Sequence, residues 1–304
     1  MMETSWFTQS DGQAVFLRKW IDPHTKPRAV LQLAHGMAEH SGRYKELATY
    51  LAANGIIVYA NDHRGHGQTG ERMGIMGYFA ETNGFERAVS DLYEISQKIK
   101  QDHPNLPFFI LGHSMGSFLV RRLIQHQPHI CDGVILSGTS ASKGLIGKIG
   151  LMLAKFEIRR LGAREESPLM NQLSFGQYQK GLPNSESWLS RDQQAINAYF
   201  NDPHCGFIST AQFYYDLLYG LDKIHQRAEM TKVNRSVPIL LISGSADPVG
   251  SFSKGVDKVR KSYLSHGVVS VDLHLYQDGR HEMFFETNRQ QVFENLLTWL
   301  NGKI

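Results

Sequence analysis

Gly-His-Ser-Met-Gly at 112–116 constrains this chain more than any other stretch, because the apolar run Phe108-Phe109-Ile110-Leu111 feeds into it and a helix-patterned segment leaves it. Glycines two residues either side of Ser114 suit a strained strand-to-helix turn, in which a β-carbon would clash and from which the serine hydroxyl stands above a sheet. Met115, Phe118, Leu119, Leu123 and Ile124 recur at helical spacing until His126-Gln127-Pro128 stops the run. The five-residue pattern alone carries little weight; the order strand, turn, helix is what makes Ser114 a candidate nucleophile.

The same alternation runs along the chain. Trp6 to Gln9 and Ala14 to Trp20 read as a hairpin across the Asp11-Gly12 turn signal. Short apolar runs at 29–34, 56–60, 108–111 and 133–136 read as buried strands. Between them, Tyr44, Leu47, Ala48 and Leu51 mark one helical face, and Phe85, Ala88, Leu92, Ile95 and Ile99 another. Residues 1–138 therefore read as the first part of an α/β core with a mostly parallel sheet.

From 139 to 207 there are helical segments and Gly, Pro, Ser and Asn punctuation but no buried strand, which points to a helical lid insertion. Its end is soft and extends to 232 if the aromatic face of Phe213, Tyr214, Leu217 and Leu218 belongs to it. Residues 208–304 return to core rhythm: a strand over 238–243, a helix with Val256, Val259 and Tyr263, an alternating strand with Val271, Leu273 and Leu275, and a closing helix with Val292, Phe293, Leu296, Leu297 and Leu300.

A serine hydroxyl needs a base within hydrogen-bond reach, and the base needs an orienting carboxylate. In open α/β sheets such groups stand at the carboxyl ends of strands. Asp247 follows the 239–243 strand in Gly244-Ser245-Ala246-Asp247-Pro248, and His281 follows the 271–276 strand in Gln277-Asp278-Gly279-Arg280-His281. Singly, each is a plain loop residue. Jointly, the chain order Ser114, Asp247, His281 is that of α/β-hydrolases and of neither common serine-protease arrangement. For the oxyanion, the amide of Met115 lies at a helix N-terminus, and that of Met37 lies in His35-Gly36-Met37 after the third strand.

Composition excludes several other classes. A net charge of +3 over 304 residues, without a dense basic block, predicts no nucleic-acid binding. No apolar stretch reaches the ~18 residues of a membrane span. Cys131 and Cys205 are too few for a disulfide framework, so both are expected as thiols. Met1-Met2-Glu3-Thr4-Ser5-Trp6 has neither a basic leader nor an apolar signal core, so a cytoplasmic location is expected. His63 and His66 raise a zinc alternative, but Gly65 and Gly67 mark a turn and no further ligand stands nearby in sequence. His113, beside Ser114, is expected to pack away from the site.

Ala34-His35-Gly36-Met37-Ala38-Glu39-His40-Ser41-Gly42-Arg43-Tyr44, Asp62-His63-Arg64-Gly65-His66-Gly67 and Gly112-His113-Ser114-Met115-Gly116 together resemble the monoacylglycerol lipase and lysophospholipase group of the α/β-hydrolases. The resemblance covers nearly the whole core and is weak in the insertion. It implies an α/β-hydrolase fold, with a mostly parallel eight-stranded sheet, helices on both faces and a lid. It also implies hydrolysis of a single-chain lipid ester through an acyl-enzyme on Ser114, with no cofactor and no metal. Ser114 would be the nucleophile, His281 the general acid and base, Asp247 its orienter, and Met37 and Met115 the oxyanion donors.

Within the insertion, Leu145, Ile146, Ile149, Met152, Leu153 and Phe156 fall on one helical face, with Lys143, Lys148, Lys155, Arg159 and Arg160 around the other. Two expectations follow: the stripe covers an acyl pocket, or the helix makes transient, peripheral contact with an anionic membrane surface. Rival functions remain. An aminopeptidase of the prolyl type would use insertion acids such as Glu165, Glu166, Glu186 or Asp192 to hold a substrate amine. A broad carboxylesterase would share the triad, and a catalytically silent ligand-binding protein could keep the fold.

Overall fold

The computed structural model describes residues 1–176, 178–179 and 186–304. Strands β1 (Met2–Thr8) and β2 (Ala14–Trp20) form the expected hairpin. Then come β3 (Ala29–Ala34), α1 (Lys45–Ala53), β4 (Ile56–Asn61), α2 (Gly67–Met73), α3 (Gly84–Asp102), β5 (Phe108–His113), α4 (Met115–His126) and β6 (Gly133–Ser137). After β6 the chain runs through α5 (Gly144–Leu161), α6 (Pro168–Asn171), α7 (Gln193–Asn201), α8 (Ala211–Lys223) and α9 (Arg227–Met230). It closes with β7 (Ile239–Gly244), α10 (Lys254–Ser265), β8 (Val271–Tyr276) and α11 (Arg289–Asn301).

The eight strands make one sheet in the order β1-β2-β4-β3-β5-β6-β7-β8. β2 runs antiparallel to β1 and β4, and every later pairing is parallel. Strands β3 to β7 are buried along their whole length, as their unbroken apolar runs require of a sheet covered on both faces. One face is covered by α3, α4 and α10, whose Phe85, Leu92, Leu119, Leu123, Val256 and Tyr263 share one core cluster; α1 and α11 cover the other through Leu47, Leu51, Phe293 and Leu296.

This topology places the site. β3 lies between β4 and β5, so chain progression reverses there, and loops leaving the carboxyl ends of β3 and β5 diverge around a crevice. The 35–37 segment and the Ser114 turn are therefore neighbours by construction. β7 and β8 lie beyond β6 on the same side as β5, and their following loops must reach back over β6 to meet Ser114.

Between β6 and β7 the described residues hold only helices, turns and one isolated bridge, Glu166 with Thr210. α8 belongs to both layers. Its Phe213 and Leu221 join the core beside α3 and α4, while Tyr214 packs with Ala154 of α5 and Met170 of α6. The ambiguous aromatic face in the sequence is thus a two-sided helix. The turn expected around Gly65 is present, and α2 starts directly after it at Gly67; with Gly67 and Gly70, residues of poor helix propensity, no sequence signal marks this short helix.

Candidate active site

Ser114 has φ 50° and ψ −117°, a conformation that costs about 1–3 kcal/mol and persists only where surroundings enforce it. Here they do. A β-carbon on Gly112 would stand 2.4 Å from Gly116 O, and one on Gly116 would stand 2.1 Å from Ala34 O, so both flanking glycines are sterically required. The Ser114 amide donates to Ser137 O of the neighbouring strand at 2.8 Å, and α4 beyond it is buried over almost its whole length.

Asp247 and His281 arrive on two loops bound to each other: Ser245 N–H donates to Tyr276 O and Ala246 N–H to Gly279 O. His281 Nε2 lies 2.9 Å from Ser114 Oγ, and its Nδ1 lies 3.1 Å from both carboxylate oxygens of Asp247. Asp247 is fully buried and also accepts Val249 N–H at 2.8 Å. Burial pulls the His281 pKa down, but the charge and hydrogen bond of Asp247, with Glu282 and Glu39 further off, outweigh it and raise it above the ordinary histidine value. The row can therefore take a proton from a hydroxyl and hold it as a stabilised imidazolium.

Met115 is the first residue of α4, where the helix offers its amide no carbonyl partner. Opposite it, the loop after β3 passes so close that a β-carbon on Gly36 would stand 3.3 Å from Ser114 Cβ. The peptide joining Gly36 to Met37 is held from its carbonyl end by His35 Nδ1 at 2.8 Å.

The family model described as serine aminopeptidase, S33, matches residues 25–288. The human monoglyceride lipase is 32% identical over 303 residues, covering 97% of this chain and 89% of that protein. This chain belongs to the S33 family of α/β-hydrolases. A monoacylglycerol lipase of Mycolicibacterium smegmatis is 29% identical, with 91% of this chain and 90% of that protein covered. Among solved structures, a thermostable carboxyl esterase from Bacillus coagulans superposes with a TM-score of 0.90 at 27% identity, covering 99% of this chain and 98% of that one.

The buried histidines around the site of this S33-family chain, His35, His63, His66 and His113, pack among themselves and against backbone or His281. His63 donates its amide to His35 Nε2 and sets its own Nε2 3.2 Å from His35 O, while His66 Nδ1 lies 2.8 Å from Arg64 O. Burial depresses His63 to about 3 and His66 to about 4, so both stay neutral, committed to backbone and to one another. His113 is buried and, chiefly through burial, held well below the ordinary value; its ring lies 5.0 Å from that of His281.

Among the described residues, one trio with metal-ligand chemistry comes together: His40, Asp202 and Cys205. His40 Nδ1 accepts Gly42 N–H, so the proton on Nε2 is the one donated to Asp202, and no ring lone pair is left for an ion.

The insertion meets the triad through a strap at 186–192. Trp188 O accepts His281 N–H and Leu189 O accepts Glu282 N–H, while the Trp188 ring lies 5.2 Å from that of His281. The candidate amine-binding acids are placed otherwise. Glu186 pairs with Arg280, Asp192 caps α7 and pairs with Arg289, and Glu165 and Glu166 are exposed.

The α5 stripe also corrects an expectation. The helix docks through its small side, with Ala154 buried and a β-carbon on Gly150 reaching within 3.1 Å of Leu218, and so close a seat suits only small residues. The apolar stripe turns outward instead: Leu145 is 73% and Ile146 78% exposed, and Ile149, Met152 and Phe156 are exposed beside them. It does not cover a pocket in this conformation. No described helix is long and apolar enough to cross a membrane.

Glu39, Arg43 and Glu282 stand in the motifs of the oxyanion and histidine loops but carry no role that the sequence alone assigns. The three form a buried ion cluster beside the triad. The available signal was an acid immediately after His281 and a Glu-Arg pair four apart just after the oxyanion loop.

Proposed function

We propose that this chain is a serine hydrolase that cleaves the carboxylic ester of a single-chain lipid, a monoacylglycerol or lysophospholipid, through an acyl-enzyme on Ser114. The observation that carries the reading is the unbroken row from Ser114 Oγ to His281 to Asp247. Ser114 Oγ attacks the ester carbonyl carbon as His281 Nε2 takes its proton. The resulting oxyanion is held by the amides of Met37 and Met115, a contribution of several kcal/mol in such sites. His281 then gives the proton to the departing glycerol oxygen as the C–O bond breaks. A water, deprotonated by His281, attacks the acyl-enzyme, and His281 returns that proton to Ser114 Oγ as the acyl C–O bond breaks and the fatty acid leaves. Every proton is accounted for by protein groups, and no step calls on a cofactor.

Lipid ester is preferred to peptide on two grounds. The relatives named as monoglyceride and monoacylglycerol lipases match this chain over nearly their whole length, whereas the acids a peptidase would need are engaged by arginines or exposed. Residues 139–207 act as the lid in this reading, with α8 as its seat on the core. The exposed stripe of α5, flanked by Lys148, Lys155, Arg159 and Arg160, would rest on an anionic lipid surface and present substrate from it.

A fluorophosphonate probe and a substrate pair test the reading. The native protein should be labelled and Ser114→Ala should not, and long-chain monoacylglycerol should be hydrolysed in preference to acetyl esters. Cleavage of a prolyl anilide without monoacylglycerol turnover would replace the lipase reading with the aminopeptidase one.

A further inference from the structure

Arg43 lies on none of the strand-end loops that carry the triad, yet it touches three segments around it. Its Nη1 donates to Glu39 Oε2 at 2.6 Å, and Nη1 and Nη2 together grip both carboxylate oxygens of Glu282 at 2.8 and 2.7 Å. Its guanidinium carbon lies 4.1 Å from the Phe285 ring centroid and 4.8 Å from that of Tyr199 on α7. The Tyr199 hydroxyl in turn donates to Ala38 O at 3.1 Å.

Each arm ends on working machinery. Glu39 Oε1 accepts Gly36 N–H at 2.5 Å and Tyr44 O–H at 2.8 Å. The peptide before Gly36 is thus held by Glu39 and the peptide after it by His35, which fixes the direction of the Met37 N–H on that second plane. The other arm, Glu282, is bonded to His281 through one peptide link and donates its own amide to Leu189 O of the strap at 2.8 Å.

Stability is a weak account of this cluster. All three charged groups are buried, and a buried ion trio is often replaceable by apolar side chains with no loss of stability. Geometry is the better account, because a bidentate guanidinium fixes both distance and angle between the groups it bridges.

We infer that Arg43 is a positioning residue that sets the oxyanion loop against the histidine loop, with Glu39 and Glu282 as its arms. Tyr199 and the 186–192 strap add the insertion to the same joint, so seating of the insertion bears on the readiness of the oxyanion donors. The inference rests on the ester-hydrolase reading and deepens it.

The test uses full-length Arg43→Lys, Glu282→Gln and the double variant, each checked for native thermal unfolding. It reads kcat and KM on a monoacylglycerol and affinity for an alkyl trifluoromethyl ketone, which forms a tetrahedral adduct on the serine. Arg43→Lys keeps the charge and loses the fork; kcat should fall about 10- to 100-fold with KM changed less than about threefold, the signature of mispositioned transition-state groups. Ketone affinity should fall in parallel, and the double variant should lose little beyond Arg43→Lys, since both act through one device. The inference is overturned if kcat of a folded variant stays within about twofold of wild type, if the loss lies in KM alone, or if ketone affinity is unchanged. Should Arg43→Lys fail to fold, Glu282→Gln, which keeps side-chain size and the backbone bond to Leu189, decides alone. A wild-type protein inactive on every ester overturns the underlying reading; an active wild type with equally active variants overturns only the role of Arg43.

Discussion

The floor of the site and the insertion above β6 are held by different means. Ser114, Asp247 and His281 hang from the ends of β5, β7 and β8, strands buried or paired within the sheet, and their loops are bonded to one another. α5 joins no strand: it packs along α8 through Gly150, Leu153 and Ala154, is tied to Ser167 by its buried Glu157, and leaves five large apolar side chains in the open. Between these extremes lies the 186–192 strap, part of the insertion by sequence but fastened to the histidine loop by main-chain bonds and by Arg191 to Glu286. Under the proposed function, the contrast predicts that rate depends on the floor and strap and delivery of substrate on α5.

The sharpest way to break the floor without moving it is Asp247→Asn. Shape is kept, but the amide no longer selects the Nδ1–H form of His281, and kcat should fall about 10⁴-fold with fluorophosphonate labelling slowed alongside it. A loss of less than about tenfold would mean that the carboxylate does not orient the base.

Next in size is the pH dependence. His281 must be neutral to act as base, and its pKa is raised, so the protonated, inactive form persists to higher pH than for a free histidine. On lowering the pH, kcat/KM should drop through a midpoint above the ordinary value of 6.5, by about tenfold per pH unit below it. A midpoint below 6.5 would show burial outweighing Asp247. Activity on short and long esters should share this midpoint, because it belongs to the floor.

This division also governs what could be read from the sequence. The core was legible because sheet burial leaves a mark at every strand: unbroken apolar runs at 29–34, 56–60 and 108–111, and punctuation where loops must turn. Ser114 was legible because the elbow admits only glycine at 112 and 116. The insertion has no such periodic demand. The outward stripe of α5 carries the same apolar pattern that burial would write, so the pattern cannot tell a covered face from an open one. The Arg43 cluster was hidden for another reason: Glu39 and Glu282 are 243 residues apart in sequence, and only the loop after β8, reaching back across the strand ends toward the loop after β3, brings them together.

The insertion is challenged by replacing Ile146 and Phe156 with Ser. If α5 delivers substrate from a lipid surface, activity on monoacylglycerol in anionic vesicles should fall about three- to tenfold, because each buried side chain of this kind is worth about 1.5–3 kcal/mol of which only part is realised at an interface. Hydrolysis of a soluble short-chain ester should stay within about twofold, since both side chains are exposed and neither touches the triad. Equal losses on both substrates would place α5 in the chemistry and remove the contrast.

The smallest effect asks whether floor and insertion unfold together. Gly147 lies inside α5, and a β-carbon there would meet only Lys143 Cβ of its own helix, at 3.3 Å. Gly147→Ala should therefore stabilise α5 by up to about 1 kcal/mol through helix propensity alone. Gly150→Ala offers the same propensity but presses on Leu218 across the α5 and α8 seat, so it should gain less. If the chain unfolds as one unit, Gly147→Ala raises Tm by about 2 °C. If α5 opens ahead of the core, Tm stays fixed, while amide exchange within 144–161 slows by up to about fivefold. Because α5 packs on α8 rather than on the sheet and leaves its apolar stripe exposed, the second outcome is expected, and a Tm shift without slowed local exchange would show that the insertion shares the cooperativity of the floor.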